Sequence, residues 1–200
     1  MKHRLYWLVL VLPLFLVSCL GIDADTNIAA DGIVNSTIVY TVSSAVAELG
    51  KLGANASYLP LPVAQADLDL AARRAGGELR SWSRKEGSDS FVVTAALRFP
   101  SVAAFASFLD PAGELARYEE TNGRATLTMS LSDGVAPADK DILEFIQVAF
   151  SDYRIAITLT VPRTPIASQG VTVTGRSARF NMKAADVYAS PEPLSISLSW

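Results

Sequence analysis

The sequence predicts an α+β fold, an antiparallel, twisted sheet built from β-hairpins with helices packed on one face. Two observations lead to this prediction. Asn122-Gly123 separates two runs in which apolar and polar residues alternate, and this dipeptide is the strongest short-range signal for a hairpin. A succession of strand, turn, strand and helix also recurs three times, near residues 28–50, 79–109 and 115–152. Hairpins of adjacent strands favour antiparallel over parallel pairing.

The first hairpin is predicted over residues 28–42, with Asp31-Gly32 at its turn. Apolar residues recur at every second position over residues 38–42, as expected for a strand with one buried face. The other two hairpins are predicted over residues 79–99 and 115–132.

Apolar residues at helical spacing predict four helices, over residues 43–49, 63–75, 101–109 and 137–152. The last of these is the longest, and we expect it to be the main cover of the sheet. Its apolar side chains are either part of the core or, where the sheet curves away from the helix, the wall of a cleft for an acyl chain.

The last part of the chain contains short strands separated by turns. Strands are predicted over residues 155–161, 171–173, 178–180 and 194–200, and a turn or short helix over 186–188. The final strand alternates regularly up to Trp200, so we expect it to be held in the sheet.

Residues 1–18 predict secretion. Lys2 and Arg4 precede an apolar run over residues 5–17, which is the pattern of a signal peptide that is removed from the mature chain. The run is shorter than the roughly 20 apolar residues that a transmembrane helix needs.

The same segment ends in Leu16-Val17-Ser18-Cys19, which resembles the lipobox of bacterial lipoproteins. The resemblance implies that cleavage occurs before Cys19 and that its sulfur carries a diacylglycerol. Two or more buried acyl chains hold a protein firmly to a bilayer, at about 0.8 kcal/mol per CH₂ group. The alternative is a structural cysteine that follows an ordinary signal peptide.

The expected organisation is a signal peptide over residues 1–18, a polar, lipidated tether over 19–27 and a single α+β domain over 28–200. The expected location is a bacterial cell envelope, with anchoring to a membrane through Cys19. Leu20 and Gly21 follow the cysteine, where the lipoproteins that this segment resembles carry aspartate if they stay in the inner membrane. In an organism with two membranes we therefore expect the periplasmic side of the outer membrane.

The charge balance argues against nucleic acid as a partner. The chain has 17 Lys and Arg residues and 20 Asp and Glu residues. Because Lys2 and Arg4 leave with the signal peptide, the mature chain keeps 15 basic residues and a net charge of about −5. Acidic chains without a basic stripe bind nucleic acid poorly. We also expect acyl chains, rather than a polybasic surface, to hold the protein to the membrane.

Histidine and cysteine usage argues against an enzyme. The single histidine is His3, in the predicted signal peptide, and the single cysteine is Cys19. The mature sequence therefore lacks the residues of a Ser-His-Asp triad, a Cys-His dyad or a His-ligated metal site. We expect no catalytic activity, no metal and no cofactor.

Two local patterns allow both a functional and a simpler interpretation. Residues 80–85 (RSWSRK) form a basic, aromatic stretch that suits lipid head groups or a sugar, and a solvated strand face is the simpler interpretation. Glu119-Glu120 provides two carboxylates, as glycoside hydrolysis requires. Neighbours on a strand point to opposite faces, however, so these two cannot easily flank one bond.

The domain as a whole resembles the LppM-type bacterial lipoproteins. The similar segments are residues 28–36 (IAADGIVNS), residues 97–101 with a following helix that contains Phe105, Phe108 and Leu109, residues 160–162, Gly175 and residues 193–200. The resemblance implies an α+β domain with a hydrophobic cavity between sheet and helix, proposed to hold a lipid or glycolipid. Many members of that family end in a transmembrane helix, whereas here we expect attachment through Cys19 alone.

The sequence thus predicts a membrane-anchored envelope lipoprotein whose non-catalytic domain binds a lipid or other hydrophobic ligand in an apolar cleft. The alternative is a structural or assembly lipoprotein that binds an envelope protein partner through a sheet edge or through residues 80–85. An empty apolar cavity of roughly several hundred Å³ favours the first hypothesis, and a filled core with an exposed apolar patch favours the second.

Overall fold

The computed structural model describes residues 20–43, 63–135 and 139–200. The strands in these ranges are β1 (Leu20–Ile28), β2 (Val34–Ser43), β3 (Glu78–Glu86), β4 (Ser90–Phe99), β5 (Ala116–Thr121), β6 (Arg124–Asp133), β7 (Arg154–Thr160), β8 (Ile166–Ala167), β9 (Thr172–Thr174), β10 (Ser177–Lys183) and β11 (Pro193–Ser199). The helices are α1 (Gln65–Arg74), α2 (Val102–Leu109), α3 (Lys140–Ala149) and α4 (Ala184–Tyr188). The predicted signal peptide, Cys19 and residues 44–49 of the first predicted helix lie outside the described residues.

The predicted α+β class is confirmed, but the strands form two sheets rather than one. The strand order is β3-β4-β2-β1-β7-β10-β9 in the larger sheet and β5-β6-β11-β8 in the smaller. All three predicted hairpins are present, as β1-β2, β3-β4 and β5-β6. The third hairpin leaves the larger sheet because α2, which contacts both β4 and β5, carries the chain into a second layer.

Strand β1 corrects the prediction of a tether over residues 19–27. Residues 20–28 pair with β2 in antiparallel orientation and with β7 in parallel orientation, so this segment is the central strand of the larger sheet. Asp23 and Asp25 gave it a polar composition, but they lie on the solvent-exposed face, and Thr26 and Ile28 point into the core. The segment therefore has the period of two that a half-buried strand requires.

The β1–β7 pair also departs from the expectation of a wholly antiparallel sheet. Its register runs from Ile22 opposite Ile155 to Asn27 opposite Thr160. Parallel strands need a long crossover connection, and here the chain between them includes the β3-β4 and β5-β6 hairpins. The pairing therefore joins segments that are more than a hundred residues apart in the chain.

The face of the larger sheet that points towards the core is called the inner face. Its register aligns apolar residues across strands; buried Ile38, for example, lies between Ala24 of β1 and Ala95 of β4. Two buried hydroxyl groups, those of Thr26 and Ser36, interrupt this apolar surface and hydrogen bond to each other at 2.8 Å. A buried polar group is costly unless it is hydrogen-bonded, and this pair satisfies that condition.

Helix α2 packs against the inner face through an aromatic cluster. Its N-cap is Ser101, whose hydroxyl oxygen accepts a hydrogen bond from the Ala104 N–H at 3.1 Å. The ring centroid of Phe99, at the end of β4, lies 5.5 Å from that of Phe105 and 5.1 Å from that of Phe108. These tilted arrangements are the ones that aromatic rings prefer, so the cluster fixes the helix on the sheet.

Helix α3 is shorter than the predicted helix over residues 137–152 and is not the main cover of the sheet. Asp139 is its N-cap, with a carboxylate oxygen that accepts a hydrogen bond from the Asp141 N–H. The helix packs mainly on α4, and the ring centroids of Phe150 and Tyr188 lie 5.4 Å apart. Helix α4 in turn contacts both β10 and β6, which places it between the two sheets.

The loop after α2 is organised by one carboxylate. The side chain of Asp110 accepts hydrogen bonds from the backbone N–H groups of Ala112, Leu115 and Ala116. The bond from Leu115 is the main reason that the pKa of Asp110 lies below its usual value, and partial burial opposes this effect. The ionised carboxylate therefore ties the start of β5 to the end of α2.

We expect Asp110→Asn to lower the stability of the protein at neutral pH, because the neutral amide accepts weaker hydrogen bonds than the carboxylate. A lowered pKa in the folded state gives stability that is present above the pKa of an unfolded aspartate, about 3.9, and is lost as the pH falls through the lower value. The difference in urea midpoint between the wild type and Asp110→Asn should therefore shrink in acid. A difference that is independent of pH would contradict this role.

Candidate functional site

The candidate site is a group of apolar side chains on the inner face that remain only half-buried. Ile22 and Ala24 lie on β1, Ile157 on β7 and Met182 on β10, and all four have intermediate exposure. Strand register makes them neighbours, because Ala24 pairs with Ile157 and the partner of both Ile22 and Met182 is Ile155. We call these four residues the apolar inner surface.

Tyr40 lies beside this surface. It is directly opposite Ile22 in the register of β1 and β2, and its side chain is fully buried. Its hydroxyl group has no hydrogen-bond partner among the described residues. Burial raises the pKa of Tyr40 well above its usual value, so the hydroxyl remains protonated and able to donate.

The combination is typical of a site for a hydrophobic ligand. Such sites have mostly apolar walls and a small number of polar groups that fix orientation. A buried hydroxyl without a partner is uncommon in a folded protein and calls for an explanation. An acyl chain on this surface would cover Ile22, Ala24 and Ile157, whereas a ligand oxygen would reach the Tyr40 hydroxyl only if neighbouring side chains moved, because Tyr40 is fully buried.

A concavity of about 560 Å³ lies elsewhere, between the β1-β2 turn, the β5-β6 hairpin and the last residue of the chain. Val102 and Trp200 are among its apolar lining residues. Its polar groups are engaged with the protein itself, since Tyr118 donates to a carboxylate oxygen of Glu120 at 3.3 Å and Arg163 donates to a backbone carbonyl at 2.9 Å. Burial, then the charge of Glu120, raises the pKa of Tyr118. This cleft is less suited to an acyl chain than the apolar inner surface.

The basic, aromatic stretch over residues 80–85 lies on β3, and its arginines have acidic partners. Arg80 pairs with Glu78 at 2.8 Å and Arg84 with Glu86 at 2.6 Å. The guanidinium of Arg84 also stacks 3.8 Å from the ring centroid of Phe91. These contacts offset the positive charge, so the simpler interpretation of a solvated strand face describes this stretch better than a head-group site.

Of the residues singled out from the sequence, Cys19 lies outside the described residues. Glu119 and Glu120 are successive residues of β5, as expected. On α3 and at its end, Ile146 and Phe150 are buried and form part of the core. The sequence pattern did not identify the apolar inner surface, because Ile22 and Ala24 fall in the predicted tether and Tyr40 has the pattern of an ordinary core residue.

No protein family and no curated protein matches the sequence. Among solved structures, the chain is similar to the folded domain of LppM from Mycobacterium tuberculosis, with 14% sequence identity and a TM-score of 0.49. The similarity covers 92% of this chain and 90% of the other. Within the described residues, none of the helices has the length and apolar character needed to cross a membrane.

We expect Tyr40→Phe to stabilise the ligand-free protein by roughly 1 kcal/mol, because it removes a buried hydroxyl that has no partner while keeping the ring. Tyr118→Phe is the matched control, since its hydroxyl is bonded to Glu120, and it should give no gain. Free energies of unfolding in urea measure both changes. A loss of stability in Tyr40→Phe would show that the hydroxyl is satisfied.

Proposed function

We propose that the protein is a bacterial envelope lipoprotein, acylated at Cys19, and that its non-catalytic domain binds a lipid or another ligand with an acyl chain. The observation that carries the ligand hypothesis is the apolar inner surface beside the unpartnered hydroxyl of Tyr40. The anchoring hypothesis rests on the sequence of residues 1–19. The ligand hypothesis requires no histidine, no thiol and no metal, and the anchoring hypothesis requires only the thiol of Cys19.

The energetics favour a ligand with a long apolar segment. Each methylene group removed from water contributes about 0.8 kcal/mol, so an acyl segment of roughly ten carbons provides several kcal/mol even after its loss of freedom is subtracted. The open side chains of Ile22, Ile157 and Met182 are the contact surface for that segment. The Tyr40 hydroxyl adds orientation, because it can donate to one ligand oxygen only.

A second candidate function is the binding of an envelope protein partner. Ile166 on β8 and Val173 on β9 are exposed apolar residues, and these two strands are outer strands of the smaller and larger sheets. An outer strand offers unpaired backbone groups to an added strand. This alternative predicts a protein, rather than a lipid, as the bound species.

Ala24→Phe tests the ligand hypothesis, because a phenyl ring at this position fills the apolar inner surface. Its matched control is Ala96→Phe, at a half-buried position on the opposite face of the same sheet. We expect protein from the native host to carry phospholipid or glycolipid by native mass spectrometry. Ala24→Phe should lose this lipid and Ala96→Phe should keep it, with unchanged circular dichroism. If the wild-type protein neither carries nor takes up added lipid, the ligand hypothesis is wrong.

Cys19→Ser tests the anchor separately. The variant should fold normally and leave the membrane fraction, because serine does not accept a diacylglycerol. Membrane fractionation of cells and the mass of the purified N-terminal peptide measure this outcome. A variant that still sediments with membranes would contradict acylation as the anchor.

A further inference from the structure

The position of β1 leaves almost no linker between the proposed anchor and the folded domain. Cys19 is joined by one peptide bond to Leu20, where β1 begins. Consecutive Cα atoms are about 3.8 Å apart. An acylated Cys19 would therefore hold one particular end of the larger sheet at the membrane surface. This placement requires the acylation of Cys19 proposed above.

Strand directions define which parts of the domain lie at that end. It contains the start of β1, the end of β2, the start of β4 and the β3-β4 turn, because Leu20 pairs with Val42 and Ser43 pairs with Ser90. The opposite end contains the β1-β2 turn, which includes Asp31. Strand β1 has nine residues, and a rise of about 3.3 Å per residue separates the two ends by about 26 Å.

Three exposed basic residues form a row across the sheet next to the anchor. The strand pairs from β1 through β2 and β4 to β3 place Lys85 at the same level as Gly21. On the other side of β1, Arg154 of β7 is also at the level of Gly21. Arg154 is directly opposite Lys183 of β10. The three side chains are exposed, and the row lies two residues from Cys19.

The acidic and basic side chains near this end are similar in number among the described residues. The acidic ones are Asp23 of β1, Glu86, Asp89, Asp152 and Asp186 of α4, and Glu86 is already paired with Arg84 at 2.6 Å. The row of Lys85, Arg154 and Lys183 itself carries three positive charges, although the mature chain carries about −5. It is thus a local positive surface that anionic head groups would attract.

We infer that the acylated protein stands on the membrane on the end of the larger sheet where β1 begins, with Lys85, Arg154 and Lys183 against anionic lipid head groups and the β1-β2 turn directed away from the bilayer. In this orientation the row that contains Ile22 and Met182 is one step further from the bilayer than the basic row. The apolar inner surface then starts beside the membrane that would supply its ligand.

The single cysteine of the chain makes this orientation measurable. Acylation consumes the thiol of Cys19, so an introduced cysteine is the only free thiol of the mature protein. Ser88→Cys in the β3-β4 turn reports on the proposed membrane end, and Asp31→Cys in the β1-β2 turn reports on the opposite end; both positions are exposed. Each full-length variant is acylated in a bacterial host, labelled with a fluorophore and reconstituted into phosphatidylethanolamine vesicles that contain phosphatidylglycerol and lipids with spin-labelled head groups.

We expect the spin labels to quench the fluorophore at position 88 several-fold more strongly than the fluorophore at position 31. Equal quenching, or stronger quenching at position 31, in protein that floats with the vesicles would overturn the orientation alone. Protein that lacks the acyl mass and does not float would overturn the acylation and the orientation together.

Charge reversal tests the basic row. In the double variant Lys85→Glu/Lys183→Glu, quenching at position 88 should no longer depend on the phosphatidylglycerol content of the vesicles. Arg124→Glu/Arg176→Glu is the matched control, because both arginines are exposed and lie at the opposite end of the domain, and it should keep that dependence. The same dependence in both double variants would show that the basic row does not contact head groups.

Discussion

The central position of β1 is the constraint on which the rest of the structure depends. This strand hydrogen bonds to β2 on one side and to β7 on the other. Without it, the larger sheet would divide into β3-β4-β2 and β7-β10-β9, each with an additional open edge. The pairing also joins residues that are more than a hundred positions apart, so the first residues after the predicted cleavage site are required for a continuous sheet.

The two layers of the domain differ in size, and this difference creates the candidate site. Seven strands present an inner face, and in the described residues the second layer contains four strands together with α1, α2 and α4. The part of the face near β4 is closed by the aromatic cluster around Phe99. Near β7 and β10, Ile157 and Met182 remain half-buried. A surface of this kind is stable when another apolar group covers it, which a lipid ligand would do.

The proposed anchor and the proposed ligand site share one strand. In the proposed orientation β1 begins at the membrane with Leu20 and reaches the apolar inner surface at Ile22. A lipid that leaves the bilayer would then travel a short distance along the sheet, past the basic row, before its acyl chain reaches apolar contacts. Because almost no linker separates Cys19 from β1, acylation would restrict the orientation of the domain, whereas a flexible linker would allow many orientations.

The sequence by itself determined the local elements of this protein. Alternation of apolar residues predicted most of the strands, but not β1 or β8. Asn122-Gly123 predicted the third hairpin, and both residues adopt the positive φ that its turn requires, 54° and 70°. Asp139 and Ser101 are helix caps of the kind that local sequence predicts. These features depend on residues a few positions apart, so a single sequence is sufficient to identify them.

Only the tertiary structure decided which strands pair and what remains uncovered. A strand pattern indicates that one face is buried, but it does not indicate the partner, and the partner of β1 in β7 lies more than a hundred residues along the chain. The two sheets, the half-buried state of Ile157 and the unpartnered hydroxyl of Tyr40 all depend on such distant contacts. Residues 20–27 show the physical reason most clearly, since their alternating aspartates suit a solvated tether and a strand equally until a second strand pairs with them.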